Sequence, residues 1–477
     1  MILLVTVTWT GAAGGVLRVA SEPCEVGAYV YAGGADLVGV EELGDVGDAP
    51  QIGRYPVRVV GVDVAAAVAA GHRLARAPVE IAVLRRGDGW AARRVLVSGV
   101  VADPVFGLDG EPLRFAALAV PRVGVIPASA DTPIAIGYPG AGVDRDGVVL
   151  VHAGVQPGLV VEDGSGGMIG RVISLGAVEA ATAWVWTQGD TDYSEDDVTV
   201  TLDQTGRLVS MVEYRAGDLW AMITPRLGNG GGGLMRLEGD TAARTARDVL
   251  RVVHFMAGVP VDELALAACP SLGAILLDGT IEDEVDAVEW VAQTVMPCLP
   301  VAATWGAGGV VYVEPRVHAT VLDAVASIDA DTDGTVSLVG DVLVEAARAS
   351  SVTVRYLWDL ATGQGSQTVV ATGPGGGGDV TCAAMTDASA TPMVVDAPML
   401  GDLGAAMTAA ARLAEVHGRQ RWRMSYMVDA ARYAHLRLGD VVAITHTAIG
   451  LVDRPAQVWG LEWGADDVLG VSVIIWG

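Results

Sequence analysis

The sequence predicts a mainly β, multidomain chain with an α/β middle domain and a small β-barrel domain at each end. Three observations carry that expectation. Short Val-rich runs, broken by Gly, Pro and Asp, fill both ends in the alternating pattern of half-buried strands. Helical spacing is confined to the middle of the chain and to one Ala-rich stretch ahead of the C-terminal strands. At 477 residues the chain also exceeds the roughly 250–300 at which a single hydrophobic core stops growing.

From the start to about residue 125, "LLVTVTW", "GAYVYAG", "YPVRVVGVDV", "PVEIAVL" and "RRVLVSGVV" read as the strands of an N-terminal barrel, residues 1–125. A β-rich extension, 126–235, follows with "GVVLVHAG", "ATAWVWTQG" and "DVTVTLDQTGRLVSMVEY", and closes on the flexible run "GNGGGG" at 228–233. The α/β middle, 236–335, opens with a helix capped by Asp240, placing Val249, Val253 and Met256 on one face and stopping at Gly258 and Pro260. A second helix is expected from Thr280 to Pro297, with Val285, Val288, Ala292 and Val295 on its buried face and Glu282, Asp283 and Glu284 stabilising the positive end of its dipole. Between and after these helices "GAILLDG" and "GGVVYVEP" read as strands. Residues 336–400 return to β, with Val352, Val354, Tyr356 and Trp358 alternating, and "GPGGGG" at 373–378 reads as a mobile loop. In 401–477 a helix runs from Asp402 to His417 with Gly418 as its C-cap. After it Trp422, Met424, Tyr426 and Val428 share one face of the first strand of a closed or nearly closed barrel.

Hydrophobic residues make up 51% and charged residues 18%, which excludes wholesale disorder and favours extensive internal or intersubunit packing. With 30 Lys plus Arg against 57 Asp plus Glu, the net charge of −27 repels nucleic-acid phosphates and argues against stable DNA binding. The exception is "LRRGDGWAARR", where Arg85, Arg86, Arg93 and Arg94 flank the turn of a solvated or partner-facing hairpin. Cys24, Cys269, Cys298 and Cys382 are far apart and form no C-x-x-C pair, so they read as reduced structural thiols. "MILLVTVTW" reads as a first strand rather than a signal peptide, and the absence of about 18 uninterrupted apolar residues argues against a membrane span. Folding in a cytoplasm is expected.

Residues 328–340, "IDADTDGTVSLVG", place Asp329, Asp331 and Asp333 at alternate positions before Gly334, as a calcium loop of the EF-hand type begins. Its twelfth position, which needs a bidentate carboxylate, is Gly340, and the segment beyond is β-like. The expectation is a turn in which the Asp side chains satisfy local backbone donors. The histidines, at 72, 152, 254, 318, 417, 435 and 446, show no H-E-x-x-H spacing; His254 reads as a satisfied core residue, and His446 has no G-x-S-x-G serine to orient. The glycine runs lack a phosphate-loop ending, and the acidic pairs in "YSEDDVTV" and "GADDV" read as solvated turns. No catalytic, cofactor-binding or metal-ligating residue is therefore assigned. Trp184, Trp186, Trp459, Trp463 and Trp476 alternate along strands, as core or interface packing does; an exposed row for stacking sugars is the competing reading.

The two ends echo each other: "VRVVGVDVAAAVAAGHRLARAPVEIAVL" and "WRMSYMVDAARYAHLRLGDVVAITH" each show a strand, a Val-Asp with an Ala-rich dip, and a second strand. The C-terminal order, "AAMTAAARLAEVHG" then "RLGDVVAITHTAIGLVDRPAQVWGLEW" then a terminal strand, resembles the closing part of the central tail-hub (baseplate hub or tail-tip) proteins of long-tailed bacteriophages, their transposable relatives and gene transfer agents. "DVLRVVHFMAGVPVDELALA" with "GTIEDEVDAVEWVAQTVMPCLPVAATW" resembles their middle domain. The resemblance covers about half the chain by pattern and extends more loosely to the N-terminal barrel.

The resemblance implies a non-enzymatic homotrimer in the virion tail tip, assembled in the host cytoplasm. Two related barrels per chain would form a ring of six that adapts a six-fold tail tube to a three-fold tip. Its implied partners are distal tail and tail-tube proteins and tip or fibre proteins, with DNA passing through an electronegative lumen without specific binding. Because the sequence stops at Gly477, just after the last barrel strand, receptor binding is expected of another protein. Two other classes compete: a cell-wall or glycan hydrolase of the tail using an acidic pair and exposed Trp, and a carbohydrate-binding β-domain adhesin.

Overall fold

The computed structural model describes residues 1–11, 15–37, 39–50, 54–61, 70–105, 112–118, 124–126, 134–136, 156–157, 159–162, 168–174, 180–187, 199–202, 208–212, 231–238, 245–277, 279–281, 284–306, 308–359, 364–387, 389–463 and 467–477. The protein is mainly β, in several sheets with few helices and no sheet closed by a continuous ladder among the described residues. No helix among them is long and apolar enough to cross a membrane.

The N-terminal sheet is built from β1 (Ile2–Gly11), β2 (Gly15–Ala20), β3 (Cys24–Val26), β4 (Tyr29–Gly33), β5 (Ala35–Leu37), β7 (Arg54–Val59), β8 (His72–Arg73), β9 (Pro78–Leu84), β10 (Arg94–Val105) and β11 (Leu113–Leu118). β6 (Gly39–Glu42) leaves it for another sheet. The opening run is apolar on both faces because both are covered. Leu3, Val5 and Val7 enter the main core, while Ile2 and Leu4 pack with Val26, Tyr31, Ala82 and Leu84 in a separate cluster. The path runs β1-β9-β10-β11-β7-β5, and β5 returns to lie against β1 and β2. Only Gly34 separates β4 from β5, which stand near opposite ends of the path, so the sheet must curl to bring them together. Gly34 permits this with φ +108, where an added Cβ would sit 2.6 Å from the Val60 carbonyl oxygen.

The middle of the chain carries β12 (Val125–Ile126), β13 (Ile134–Ile136), β14 (Gln156–Pro157), β15 (Leu159–Glu162), β16 (Met168–Ser174), β17 (Ala180–Thr187), β18 (Thr199–Leu202), β19 (Leu208–Val212) and β20 (Gly231–Glu238). β18 and β19 pair antiparallel, as "DVTVTLDQTGRLVSMVEY" predicts. "GVVLVHAG" and the acidic pair of "YSEDDVTV" lie outside the described residues. Gly231–Gly233, expected to be part of a flexible run, instead pair with Val185–Thr187 in β17.

Beyond them lie β21 (Gly279–Ile281), β22 (Val285–Asp286), β23 (Ala302–Gly306) and β24 (Gly309–Val313). The first helix, Ala246–Met256, is capped by Thr245, whose hydroxyl accepts the Asp248 N–H at 3.2 Å; the expected cap, Asp240, lies outside the described residues. The expected helix from Thr280 starts later. Thr280 and Ile281 pair with β13, and Val285 and Asp286 pair with β12, so tertiary strand pairing overrides local helix preference. The helix begins at Ala287, with Asp286 accepting the N–H of Val288 and Glu289 at 3.0 and 2.9 Å. It widens into a π turn at Val291–Val295 and ends in a 3-10 turn holding Pro297. "GAILLDG" is likewise not one strand: Pro270–Ala274 is a helical turn, Leu276 makes an isolated bridge to Thr245, and Gly279 opens β21, opposite Ile136.

β27 (Ala349–Asp359), β28 (Gln364–Thr372), β29 (Val380–Thr381) and β30 (Thr391–Asp396) form a four-stranded sheet, backed by the helix Leu403–His417. That helix has its predicted ends. Asp402 accepts the Ala405 N–H at 2.8 Å, Gly418 is the C-cap, and Ala405, Ala406, Ala409, Ala410 and Ala414 let the helix lie close to the sheet. The "GPGGGG" segment folds into turns, with Gly375 and Gly377 at positive φ.

The last sheet runs β25 (Ala324–Asp329), β32 (Val441–His446), β33 (Leu451–Trp463), β34 (Val468–Trp476), β31 (Arg421–Asp429) and β26 (Ser337–Glu345). Its edge strands, β25 and β26, are consecutive in sequence and joined by residues 330–336 alone, so this sheet also curls until its edges meet at that loop. The two curled sheets share a circuit. β7-β11-β10-β9 and β31-β34-β33-β32 have the same chain order, the same neighbours and antiparallel pairing throughout. In each, the third strand in sequence is long, 12 residues in β10 and 13 in β33, with a register shift against each of its two neighbours in the circuit. Such bulges increase local twist, which is what a tightly coiled sheet needs. The first neighbours differ: β1 runs antiparallel to β9, whereas β25 runs parallel to β32.

Candidate assembly surface

Among the described residues, an ion-pair network lies where the two curled sheets meet, and large apolar side chains lie at the edges of the second. β6 pairs with β33, with Gly39 to Glu42 opposite Trp463 to Gly460, and the Leu43 N–H donates to the Trp459 carbonyl at 3.0 Å. Below this ladder Asp45 meets Arg348 at 2.8 Å and Arg421 at 3.4 Å, and Arg423 meets Glu42 at 3.3 Å. Arg421, only 3% exposed, also lies 2.7 Å from Glu345, an ion pair whose alignment falls short of a hydrogen bond. Burial pushes the Asp45 carboxyl up, but the hydrogen bond and charge of Arg348, with Arg421 and Arg423, outweigh it and hold the group below the usual carboxylate range. His417 sits beside this network, and burial, reinforced by Arg348 and Arg421, pushes it down to about 4.

The hairpin "LRRGDGWAARR" forms as expected between β9 and β10, but its arginines are largely engaged. Arg86 pairs with Glu22 at 2.8 Å, and Arg93 pairs with Glu80 at 3.2 Å while covering the Trp90 ring. Arg94 reaches the second sheet, donating to the carbonyl oxygens of Ala434 and Leu436 and lying over Trp463. Arg85 is exposed.

The edges β25 and β26 and the turn before them expose large apolar side chains: Val321, Leu322, Val325, Val339, Leu343 and Val344, with Leu322 at 96%. β26 pairs only with β31 among the described residues, and a register shift at Gly340 (φ +70) separates its two paired halves. An unpaired apolar edge of this kind is a ready-made contact for another chain.

The loop joining these edges holds Asp329, Asp331 and Asp333; Asp329 and Asp333 face local donors, and Asp331 faces a donor 116 residues away. Asp329 accepts the N–H of Asp331 and Thr332 at 2.9 and 3.0 Å, Asp333 accepts the Thr335 N–H at 3.0 Å, and Asp331 accepts the Thr447 N–H. Asp333 also pairs with Arg432. The Thr332 and Thr335 hydroxyl and backbone donors hold Asp329 and Asp333, respectively, below the usual carboxylate range. Asp329 and Asp333 form the turn that the sequence predicts, while Asp331 ties it to Thr447.

His254 is 1% exposed, its Nε2 is 2.8 Å from the Tyr312 hydroxyl, and burial pushes it down to about 4, as befits a core residue. His446 Nδ1 faces the Tyr426 hydroxyl at 3.3 Å. All four cysteines are free, and burial pushes the Cys269 and Cys298 thiols up to about 12. Trp459, Trp463 and Trp476 are core residues, with Trp459 and Trp476 edge-to-face at 6.0 Å; the side chains of Trp184 and Trp186 lie outside the described residues. Sequence reasoning missed the Asp45–Arg348–Arg421 network and the Arg94 contact. Their partners are separated by 303 residues or more, and no local pattern marks them.

No protein-family model and no curated protein matches the sequence. Among solved structures, the chain overlaps the tail protein of Neisseria meningitidis MC58 with a TM-score of 0.43 at 11% identity, covering 100% of this chain and 96% of that one. The 43 kDa tail protein of prophage MuSo2 from Shewanella oneidensis gives 0.41 at 9% identity, covering 100% and 98%. A chain of the native gene transfer agent virion gives 0.40 at 13% identity, covering 72% and 87%.

Proposed function

We propose that the chain is a structural virion protein, the trimeric central hub of a tail tip or baseplate, without enzymatic activity. In this reading the curled sheets of 1–125 and 401–477, the latter drawing in β25 and β26, alternate six to a ring. Residues 236–335 and 336–400 brace the ring, and 126–235 extend from it. Three copies of a chain with two similar bodies can then meet a six-fold tail tube above and a three-fold tip below. The partners are distal tail and tail-tube proteins and tip or fibre proteins. DNA slides through a bore that the −27 charge keeps from adhering.

The observation that carries the reading is the repeated four-strand circuit, which gives one chain two bodies of like topology. The order of C-terminal segments and the apolar edges of β25 and β26 support it. The glycan-directed alternatives draw on a row of exposed tryptophans, and Trp459, Trp463 and Trp476 are buried.

Native mass spectrometry of the purified 49.0 kDa chain is expected to give a three-copy species, and negative-stain averages a ring with a central opening. A chain that stays monomeric at every concentration up to its solubility, with tail-tube protein present, overturns the proposal.

A further inference from the structure

We infer that the capped turn carrying Leu322 is a plug by which one copy of this chain docks into an apolar groove on the N-terminal sheet of a second copy. The inference rests on the trimeric reading above and names two of the surfaces that meet within it.

Leu322 is 96% exposed, yet the turn that holds it out is not loose. It is the middle residue of the 3-10 turn Val321–Asp323, closed by a reciprocal capping box in which the Thr320 N–H and hydroxyl donate to the Asp323 carboxylate at 2.7 and 2.8 Å. The turn lies against β32 and β33, and Val321 and Val325 beside it are exposed as well. Leaving a large apolar side chain in water costs free energy that a covering surface recovers, and a turn already fixed loses little freedom on docking.

The groove has a volume of about 570 Å³. Its floor is Val57, Phe115 and Ala116, all buried, and Pro56 and Val105 stand exposed at its lip. Its wall carries Arg58 and Arg114, which face each other directly across β7 and β11. Like charges in register destabilise a strand pair, so this wall favours an approaching anion. Asp36 and Asp103 share the wall, and neither forms an ion pair with these arginines among the described residues. The plug brings the complementary charge: Asp323 is adjacent to Leu322, and the Thr320 donors hold its carboxyl below the usual carboxylate range.

Charge also favours this body as the receiver of a second copy. Residues 1–125 hold 11 Arg against 13 Asp plus Glu, a net −2, where the whole chain carries −27. An acidic copy therefore meets little repulsion there. Plug and groove are different surfaces, so the contact is heterologous and can close three copies into a ring.

The test is sedimentation velocity and native mass spectrometry of the full chain carrying Leu322→Asp, of the full chain carrying Val105→Asp, and of an equal mixture of the two. Both substitutions fall on exposed side chains, so near-ultraviolet circular dichroism should match the parent. Each variant alone is expected to self-associate at least about thirtyfold more weakly than the parent. The mixture should form a pair holding one chain of each kind and stop there, because only the plug of the Val105→Asp chain and the groove of the Leu322→Asp chain remain intact. A parent-like three-copy species in either variant, or a mixture without the mixed pair, overturns the docking and leaves the trimeric reading standing. A parent chain that is itself monomeric up to its solubility removes both.

Discussion

Mild acid should unfold this protein through two histidines that fold neutral. His254 and His417 are both buried, and burial pushes each from the usual 6.5 down to about 4. In the unfolded chain both take up a proton as pH falls through about 6.5, while in the folded chain they refuse it until about 4, so stability is full above that window and is lost across it. At pH 5.5 an exposed histidine is about nine-tenths protonated and a buried one only a few per cent, which removes ~1.4 kcal/mol per residue and ~3 kcal/mol for the pair. By pH 4 the loss approaches ~6 kcal/mol, much of the ~5–15 kcal/mol that holds a typical domain together. Asp45, whose carboxyl is held below its usual range, acts in the same direction but at lower pH, so the interval from about pH 4.5 to 6.5 isolates the histidines. Urea midpoints measured at half-unit steps through that interval give the slope. His254→Gln and His417→Gln should each lower stability at neutral pH yet remove about half of the acid loss. An unchanged slope in the double variant would refute the reasoning.

Four other outcomes are expected. Trp459→Ala should cost ~3–5 kcal/mol in urea unfolding, because a fully buried indole leaves a cavity beside the β6 ladder. Gly309→Ala should cost ~2 kcal/mol or more in the same assay, since Gly309 adopts φ +123 and a Cβ there would sit 2.0 Å from the Pro260 carbonyl oxygen. Leu343→Asp with Val344→Asp, on the exposed edge of β26, should change stability by less than ~1 kcal/mol while abolishing self-association in sedimentation velocity. A chelator should leave the melting temperature where it is, because Asp329, Asp331 and Asp333 are engaged by backbone donors; a fall that added calcium reverses would count against the turn.

Much of the fold was legible because local chemistry and tertiary structure agree. Asp402 and Gly418 bound an Ala-rich helix, and the alternation Trp422, Met424, Tyr426, Val428 marks a strand whose ladder is intact. The helix expected from Thr280 failed for the opposite reason. Its first turn is claimed by strands β12 and β13, more than 140 residues away in sequence, and no periodicity within 280–297 reports that demand. The repeated circuit was half visible: the echo of 57–84 in 422–446 covers the outer strands, but the ladder order that makes the two ends alike appears only once β10, β11, β33 and β34 are paired.

The placement of β6 inside the C-terminal sheet sets a timetable for synthesis. Residues 39–42 leave the ribosome about 420 residues before their hydrogen-bonding partners at 460–463. At roughly 5–20 residues per second, that strand waits on the order of half a minute or more with its donors open to water. A nascent chain stalled short of Gly460 therefore carries residues 39–42 without the strand they pair with.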